Sequence, residues 1–391
     1  MRILVVHSNY YFVPATSSAD GPEDSSYAQM LDGALRQRPA SSDALAHELR
    51  ARGHETAFVL WGHDGIQSAW ARENGLRLPL SFRKSLGSRR TRIGLRIPTL
   101  RDSGRWHALV MRRQVEAFRP DVVFNFSLGA VPPECLRVSG LRPFLAGWIG
   151  TEKSPPPEVV REYDLVLSLS RRWVSLLRES GCRAEYLPLA FDARTLLETE
   201  VPQDRPEPVT FAGSYGSQWG RGLSDTEYVA GRVPMGCWGS SPDGLAGAEA
   251  IRRSYRGPAW GLELVRLLRR TRVAFNRHSD AVLDAEGYWH PAQTRMIFDE
   301  SCNMRLYEAT GCGCLLVTDR MAGLGQLFRD GREVISYGTK EEAVDLIRYY
   351  LDHDREREAL AAEGQARTLR EHTWERRSGE FLELLEKEGA G

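Results

Sequence analysis

The chain has 391 residues, 42% of them apolar and 27% charged, with 52 Lys and Arg against 52 Asp and Glu. That length exceeds one ordinary hydrophobic core and predicts two or more domains. A formal net charge of zero excludes a nucleic-acid binder that relies on bulk positive charge, and no apolar run reaches the roughly 18 residues that a membrane span needs.

The opening stretch, MRILVVHSNYYF, has neither the apolar segment nor the small-residue cleavage site of a signal peptide. It reads as a first buried strand, RILVVHS. SSDALAHELRARGHE reads as a helix, with Ser42 or Asp43 placed to cap it and Gly53 where a left-handed residue ends it. TAFVLW is the next strand, and residues 62–105 are basic without a clear period. Helix resumes at HALVMRRQVEAFRP, then the strands DVVFNFS, LRPFLAGWIG and DLVLSLS, the helix RRWVSLLRESG and the strand AEYLPLA. FDARTLLETEVPQDRPEPV, with three prolines, reads as a linker.

The second half repeats the alternation. VTFAGSYGSQWGRG and VPMGCWGS are strands ending in small-residue turns, LELVRLLRRT is an amphipathic helix, and RVAFNRH is a strand. A polar segment, SDAVLDAEGYWHPAQTRMIFDESC, precedes NMRLYEATGCGCLLVTDRMAGLGQLF, which reads as helix, strand and helix. EVISY ends the sheet and a long helical tail follows. Alternating apolar strands and helices predict α/β architecture, with two doubly wound parallel-sheet domains over residues 1–195 and 205–370 and a terminal helix over 371–391.

Ligands of such sheets bind beyond the carboxyl ends of the strands. In the first half those positions are His7, Ser8 and Asn9, Asn125 and Ser127, Thr151 and Glu152, and Ser170. In the second they are Gly213, Ser214 and Tyr215, Trp238 and Gly239, Asn276, Arg277 and His278, and the turn from Asp319 to Gly325. The second set is rich in glycine, amide and cationic groups and suits an anion. A helix opening near Leu324 would aim unpaired N–H groups at a diphosphate, with Gly323 and Gly325 allowing close approach. Arg221, Arg277 and Arg305 are candidate counter-charges, and Asn303 lies just ahead of Arg305. Neither glycine turn matches a P-loop or a dinucleotide fingerprint, which weighs against nucleotide hydrolysis and nicotinamide chemistry. Glu308, in mid-helix on an apolar face, needs a partner to offset its desolvation; two ribose hydroxyls would serve. It also reads, less informatively, as a surface carboxylate.

Six cysteines (Cys135, Cys182, Cys237, Cys302, Cys312 and Cys314) are scattered, with one C-x-C and no second pair to complete a zinc site. This pattern suits a reduced, cytoplasmic protein without a metal. Asp352-His353-Asp354 spells D-x-D, but in a charged helical run it reads as a solvated face.

The blocks FAGS, YRGPAWGLELVRLLRRTRVAFNRH and NMRLYEATGCGCLLVTDRMAGLGQLFRDGREVISY, with RAEYLPLAFD before them, resemble glycosyltransferases of the GT-B fold, nearest the CgeB-type, spore-maturation-like group related to families 1 and 4. The resemblance implies a nucleoside-diphosphate-sugar donor in the second lobe, UDP- or dTDP-linked rather than GDP-linked, and an acceptor in the first. It implies that Glu308 binds the ribose, that Gly323 and Leu324 lie against the phosphates, and that Phe211, Gly213 and Ser214 form a donor loop. It also implies a terminal helix that returns to the first lobe. Ser301 stands where retaining relatives carry a second glutamate, with Glu300 one place away. The expectation is metal-independent transfer with retention, His7 or Glu152 being the base if the reaction inverts and Arg277 and His278 acting on the leaving group. Ser8, Asn9, Asn125 and Ser127 are the acceptor-side candidates. A sugar-nucleotide 2-epimerase of the same fold and a non-catalytic sugar-nucleotide-binding or spore-coat protein are the alternatives.

Overall fold

A computed structural model describes residues 1–8, 25–39, 43–78, 84–90, 96–102, 105–150, 156–202, 204–215, 221–278, 300 and 303–390. The first lobe carries β1 (Arg2–Ser8), α1 (Tyr27–Leu35), α2 (Ala44–Ala51), β2 (Glu55–Trp61), α3 (Asp64–Glu73), β3 (Lys84–Arg90), β4 (Arg96–Asp102) and α4 (Arg105–Phe118). It continues with β5 (Val122–Asn125), β6 (Phe144–Ile149), α5 (Pro157–Val160), β7 (Leu165–Ser168), α6 (Arg171–Glu179) and β8 (Ala184–Tyr186). Six of these strands form a sheet in the order β2-β1-β5-β6-β7-β8, parallel throughout. β5 and β7 are buried along their whole length, as expected of strands covered on both faces. β3 and β4 form a separate antiparallel hairpin within the segment that shows no period in the sequence.

The second lobe carries β9 (Glu207–Gly213), α7 (Arg221–Ala230), β10 (Met235–Gly239), α8 (Glu249–Ser254), β11 (Tyr255–Gly257), α9 (Gly261–Arg269) and β12 (Thr271–Asn276). It continues with α10 (Arg305–Gly311), β13 (Leu315–Asp319), α11 (Leu324–Leu327), β14 (Ile335–Tyr337), α12 (Lys340–Asp352), α13 (Asp354–Glu371) and α14 (Trp374–Lys387). Its sheet runs β11-β10-β9-β12-β13-β14, again parallel. Two six-stranded parallel sheets flanked by helices make this the two-domain GT-B architecture.

The outer edge of β2 is closed by side chains rather than by another strand. Arg50 Nε donates to the Thr56 carbonyl at 2.8 Å, Gln67 Nε2 to that of Leu60 at 2.9 Å, and the Tyr27 hydroxyl to that of Phe58 at 3.4 Å. Occupying these acceptors removes a template for unwanted strand pairing.

The chain crosses between the lobes twice, and the crossings are paired. Phe191 N–H donates to the His372 carbonyl at 2.8 Å, and Trp374 N–H to that of Phe191 at 3.1 Å. After the second crossing, α14 packs on α2. Arg52 donates to Ser378 Oγ and to the Glu375 carbonyl, each at 2.8 Å, and Phe381 is fully buried against Phe124. An apolar cluster spans the lobes: Leu169, Leu189 and Phe191 pack with Ala212, Leu306, Tyr307 and Phe328. Asp43, expected as a helix cap, makes no capping bond. Its carboxylate receives Arg194 instead, at 3.0 Å, because a buried acid gains more from a cation than from one N–H. The D-x-D run proves to be a break between α12 and α13, where Asp354 pairs with Arg357 and the His353 ring stacks on Tyr349.

Candidate functional site

Each sheet has a point where successive connections turn to opposite sides, and there the strand ends leave a crevice. In the second sheet it lies between β9 and β12, and in the first between β1 and β5. The sequence candidates Gly213 to Tyr215 and Asn276 to His278 flank the former, and His7, Ser8, Asn125 and Ser127 flank the latter.

At the β9–β12 crevice the organiser is Arg305, the first residue of α10. Its guanidinium donates to the Ala212 carbonyl at the end of β9 and to Asn276 Oδ1 at the end of β12, and it lies 5.0 Å over the Phe211 ring. Burial lowers its pKa while Glu308 acts against that. Gly213 lets the guanidinium come close, since a Cβ would meet Arg305 Nη2 at 2.6 Å. Gly239 closes the neighbouring strand end: its φ is 116°, and a Cβ would meet the Gly213 carbonyl at 2.0 Å. Ser240 Oγ then accepts the Tyr215 N–H at 2.9 Å, and the Tyr215 hydroxyl donates to the Trp238 carbonyl at 3.0 Å. Residues 213–215, just after β9, are thus held in place, with Ser214 exposed. Asn276 is fully buried and receives Asn303 Nδ2 at 2.9 Å. Asn303 Oδ1 and Trp238 Nε1 are buried without hydrogen-bond partners among the described residues.

Glu308 follows Arg305 by three residues and so shares its helix face. It retains part of its surface, yet protein surrounds the carboxyl closely enough that burial pushes its pKa up to about 7, with Arg305 opposing. No described side chain is hydrogen-bonded to it. It is therefore an acid held near neutrality, with four acceptor sites to offer when ionised.

Arg277 and His278 are engaged in a different way. Arg277 pairs with Asp225 at 2.9 Å and with Asp319 at 2.8 Å, and His278 Nδ1 meets Asp319 Oδ1 at 2.6 Å. Burial opposes ionisation of Asp319, but His278 and Arg277 outweigh it and hold the pKa at about 2. These two side chains thus brace the end of β12 against that of β13. Beside them Arg320, Tyr337 and Lys340 help to line a polar cavity of about 350 Å³. The turn expected to cradle phosphate begins at Gly323, in the left-handed region at φ 77°, and α11 starts at Leu324. α11 is a single turn, so its unpaired N–H groups matter more than any macrodipole. Glu300 forms a bridge with Ala322 beside this turn, and its carboxylate accepts the Arg172 N–H of the first lobe at 3.5 Å. Arg221 opens α7, but its side chain lies outside the described residues, as do Asn9, Glu152 and the segment 279–299.

In the first lobe, Ser127 Oγ accepts the Ser8 N–H at 2.8 Å, Asn125 Oδ1 accepts the Ser127 N–H at 3.0 Å, and Asn125 Nδ2 donates to Tyr163 at 2.7 Å. These contacts lock the ends of β1 and β5 together. His7 is buried, stacks on Phe126 at 5.0 Å, and donates from Nδ1 to the Ser8 carbonyl at 2.9 Å. Burial lowers its pKa to about 4, although the Ser8 contact works against this. It is neutral at physiological pH and a weak base. Phe126 in turn stacks on Trp148, and both reach the interlobe cluster.

Asp225 stands out only in the structure, as does the pairing of Asp319; acids paired with Arg277 across 52 and 42 residues leave no local pattern. No group of three metal-ligating side chains occurs among the described residues, and no described helix is long and apolar enough to cross a membrane.

Residues 215–383 match a family described as glycosyl transferase-like. No curated protein matches the sequence. Among solved structures, the chain is similar to HepE from Anabaena in complex with UDP-glucose, at 13% identity and a TM-score of 0.58, covering 99% of this chain and 100% of that one. It is similar to sucrose-phosphate synthase from Thermosynechococcus elongatus at 12% identity and 0.56, covering 99% and 98%. It is also similar to AviGT4, a glycosyltransferase involved in avilamycin A biosynthesis, at 16% and 0.56, covering 99% and 97%. At these identities the likeness is one of fold.

Proposed function

We propose that this protein is a glycosyltransferase that moves a sugar from a UDP- or dTDP-linked donor, held by the second lobe, to an acceptor at the first. The observation that carries this reading is Glu308, a half-buried carboxylate with no side-chain hydrogen-bond partner among the described residues, beside Arg305 at the switch point of the second sheet. A ribose 2′,3′-diol supplies the two donors that would offset its desolvation. The glycosyl transferase-like match over 215–383 includes this helix, and the HepE structure holds UDP-glucose in the same fold. The Asn303 to Gly313 block is the basis for placing the chain in the CgeB-type group.

In this reading, negative charge develops on the departing diphosphate, and groups fixed in advance stabilise it. Arg277 and Arg305 are committed to carboxylates and carbonyls. The charge therefore falls to the backbone N–H groups of Gly323 and Gly325 and to Arg221, without a divalent ion. Asn303 Oδ1, buried and without a partner among the described residues, is an acceptor for a donor hydroxyl or base N–H. Retention needs no protein base, since a phosphate oxygen of the leaving group takes the acceptor proton. The weak basicity of His7 agrees with that route. The experiment is thermal-shift screening against UDP, dTDP, GDP and their glucose conjugates, followed by slow donor hydrolysis without acceptor. At a hundredfold excess over Kd, a ligand of the folded state adds about 2.7 kcal/mol. Stabilisation by UDP or dTDP with hydrolysis of the sugar conjugate is expected. No shift with any nucleotide would remove the reading, and 2-epimerisation of UDP-GlcNAc would favour the epimerase instead.

A further inference from the structure

His372 stands where the chain begins its second crossing between the lobes. It follows α13 as the capping residue and is 5% exposed. Its main chain is held from both sides: its N–H donates to the Thr368 carbonyl at 2.8 Å, and its carbonyl accepts the N–H of Phe191 from the first crossing at 2.8 Å. Its ring reaches into the second lobe. Nε2 lies 2.9 Å from the Leu327 carbonyl, which can only accept, so Nε2 carries the proton. Nδ1 is then an acceptor, with Arg377 Nη2 at 3.4 Å. Burial lowers the imidazole pKa to about 4, although the Leu327 contact works against this. The ring is therefore neutral at physiological pH and keeps this tautomer.

Leu327 is the last residue of α11. The final carbonyls of a helix have no partner within it. That of Leu327 finds two near the chain's end, His372 Nε2 and Arg367 Nε, the latter at 3.1 Å. The His372 ring also lies 5.1 Å from that of Phe328 and 5.4 Å from that of Tyr307. Phe328 follows α11 directly, and Tyr307 precedes Glu308 on α10. One imidazole thus packs against both elements that carry the proposed donor contacts, while its own carbonyl is bonded to Phe191 at the crossing.

We propose that His372 is a positioning residue for the nucleotide: through its Nε2–H bond to Leu327 it ties the turn at residues 323–327 and the Glu308 helix to the interlobe crossing. It touches no substrate and acts through Leu327 and Tyr307. A ligand that orders the turn then orders the crossing, because two sites that favour one arrangement favour each other. The inference rests on the sugar-transfer reading, since it takes the diphosphate to lie on this turn.

Two variants of the full chain separate the hydrogen bond from the packing. His372→Phe keeps a ring beside Tyr307 and Phe328 and removes the donor; His372→Gln restores a donor at the reach of Nε2. Calorimetric titration with UDP and dTDP reads affinity, and site-resolved hydrogen exchange reads the amides of Phe191 and Trp374 at the crossing. His372→Phe should bind the nucleotide about tenfold more weakly than wild type, and His372→Gln should recover to within about threefold. Saturating nucleotide should slow exchange of both crossing amides at least threefold in wild type and leave them unchanged in His372→Phe. A residue serving the fold alone would lower the unfolding midpoint without moving nucleotide affinity. Equal affinity in His372→Phe, no recovery in His372→Gln, or wild-type crossing amides indifferent to bound nucleotide would each overturn the proposal and leave the sugar-transfer reading standing. The last of these needs no variant, so a misfolded His372→Phe would not spare the proposal. Absence of nucleotide binding by wild type would remove that reading and this inference with it.

Discussion

Replacing Glu308 with glutamine keeps the shape of the side chain and removes its titration. In the folded protein the Glu308 carboxyl has a pKa of about 7, against 4.5 for the free group. The gap of about 2.5 units corresponds to roughly 3 kcal/mol at 1.36 kcal/mol per unit. This is an upper bound, because water still reaches part of the side chain. The sign follows from proton binding. Between pH 4.5 and 7 the folded state holds the proton more tightly than the unfolded chain, so wild-type stability falls as pH rises through that window and then levels off. Glu308→Gln has no such term. Its stability relative to wild type should therefore rise by up to about 3 kcal/mol between pH 4.5 and pH 8. Any constant cost of the new amide cancels in the comparison. Urea unfolding at pH 4.5, 5.5, 7 and 8 measures this. UDP-glucose gives a second reading, since ribose hydroxyls would favour the ionised carboxylate. Its affinity for wild type should rise by up to about tenfold per unit below pH 7 and be flat above, while the variant shows no slope. A stability difference between the two proteins that stays constant across the range would refute the picture of a desolvated acid.

Asp319→Asn should cost about 3–5 kcal/mol, because it leaves Arg277 and His278 buried without their shared carboxylate. The wild-type contribution is present above pH 3.8 and lost as pH falls through about 2, so acid unfolding of the variant should lack that step. Gly311→Ala, favourable for an isolated helix, should instead destabilise by about 1–3 kcal/mol. Its Cβ would lie 2.6 Å from the Phe191 ring at the paired crossing, and unfolding midpoints report the sign. His7→Gln should change the level of kcat/KM without changing its shape between pH 5.5 and 8, because the wild-type imidazole titrates near 4; loss of an acid limb near pH 6.5 would contradict this.

The strands legible in the sequence are those buried on both faces. RILVVHS coincides with β1, DVVFNFS and DLVLSLS contain β5 and β7, and RVAFNRH covers β12 after its first residue, because such strands must be apolar along their length. The β3–β4 hairpin was obscured by its charge: Lys84, Arg89, Arg90, Arg96 and Arg101 interrupt every apolar period. α1 has no fully buried residue and so no strong stripe. In the candidate site, Glu308 was visible because an acid beside apolar neighbours on a helix is locally anomalous. The use of Arg277 and His278 was not, because Asp319 and Asp225 approach them only through the order of the strands. Glu227 was hidden for the same reason, its carboxylate accepting the N–H groups of Ala250 and Ile251 at 2.7 and 2.9 Å and so opening α8.

Calorimetric titration of UDP-glucose and dTDP-glucose into wild type and Glu308→Ala at pH 7.5 addresses the central claim most directly. Saturable binding of at least one donor by wild type is predicted, weakened at least tenfold in the variant by loss of the charge-assisted ribose contacts. Wild-type and variant titrations that superimpose, or the absence of binding to wild type, would contradict it.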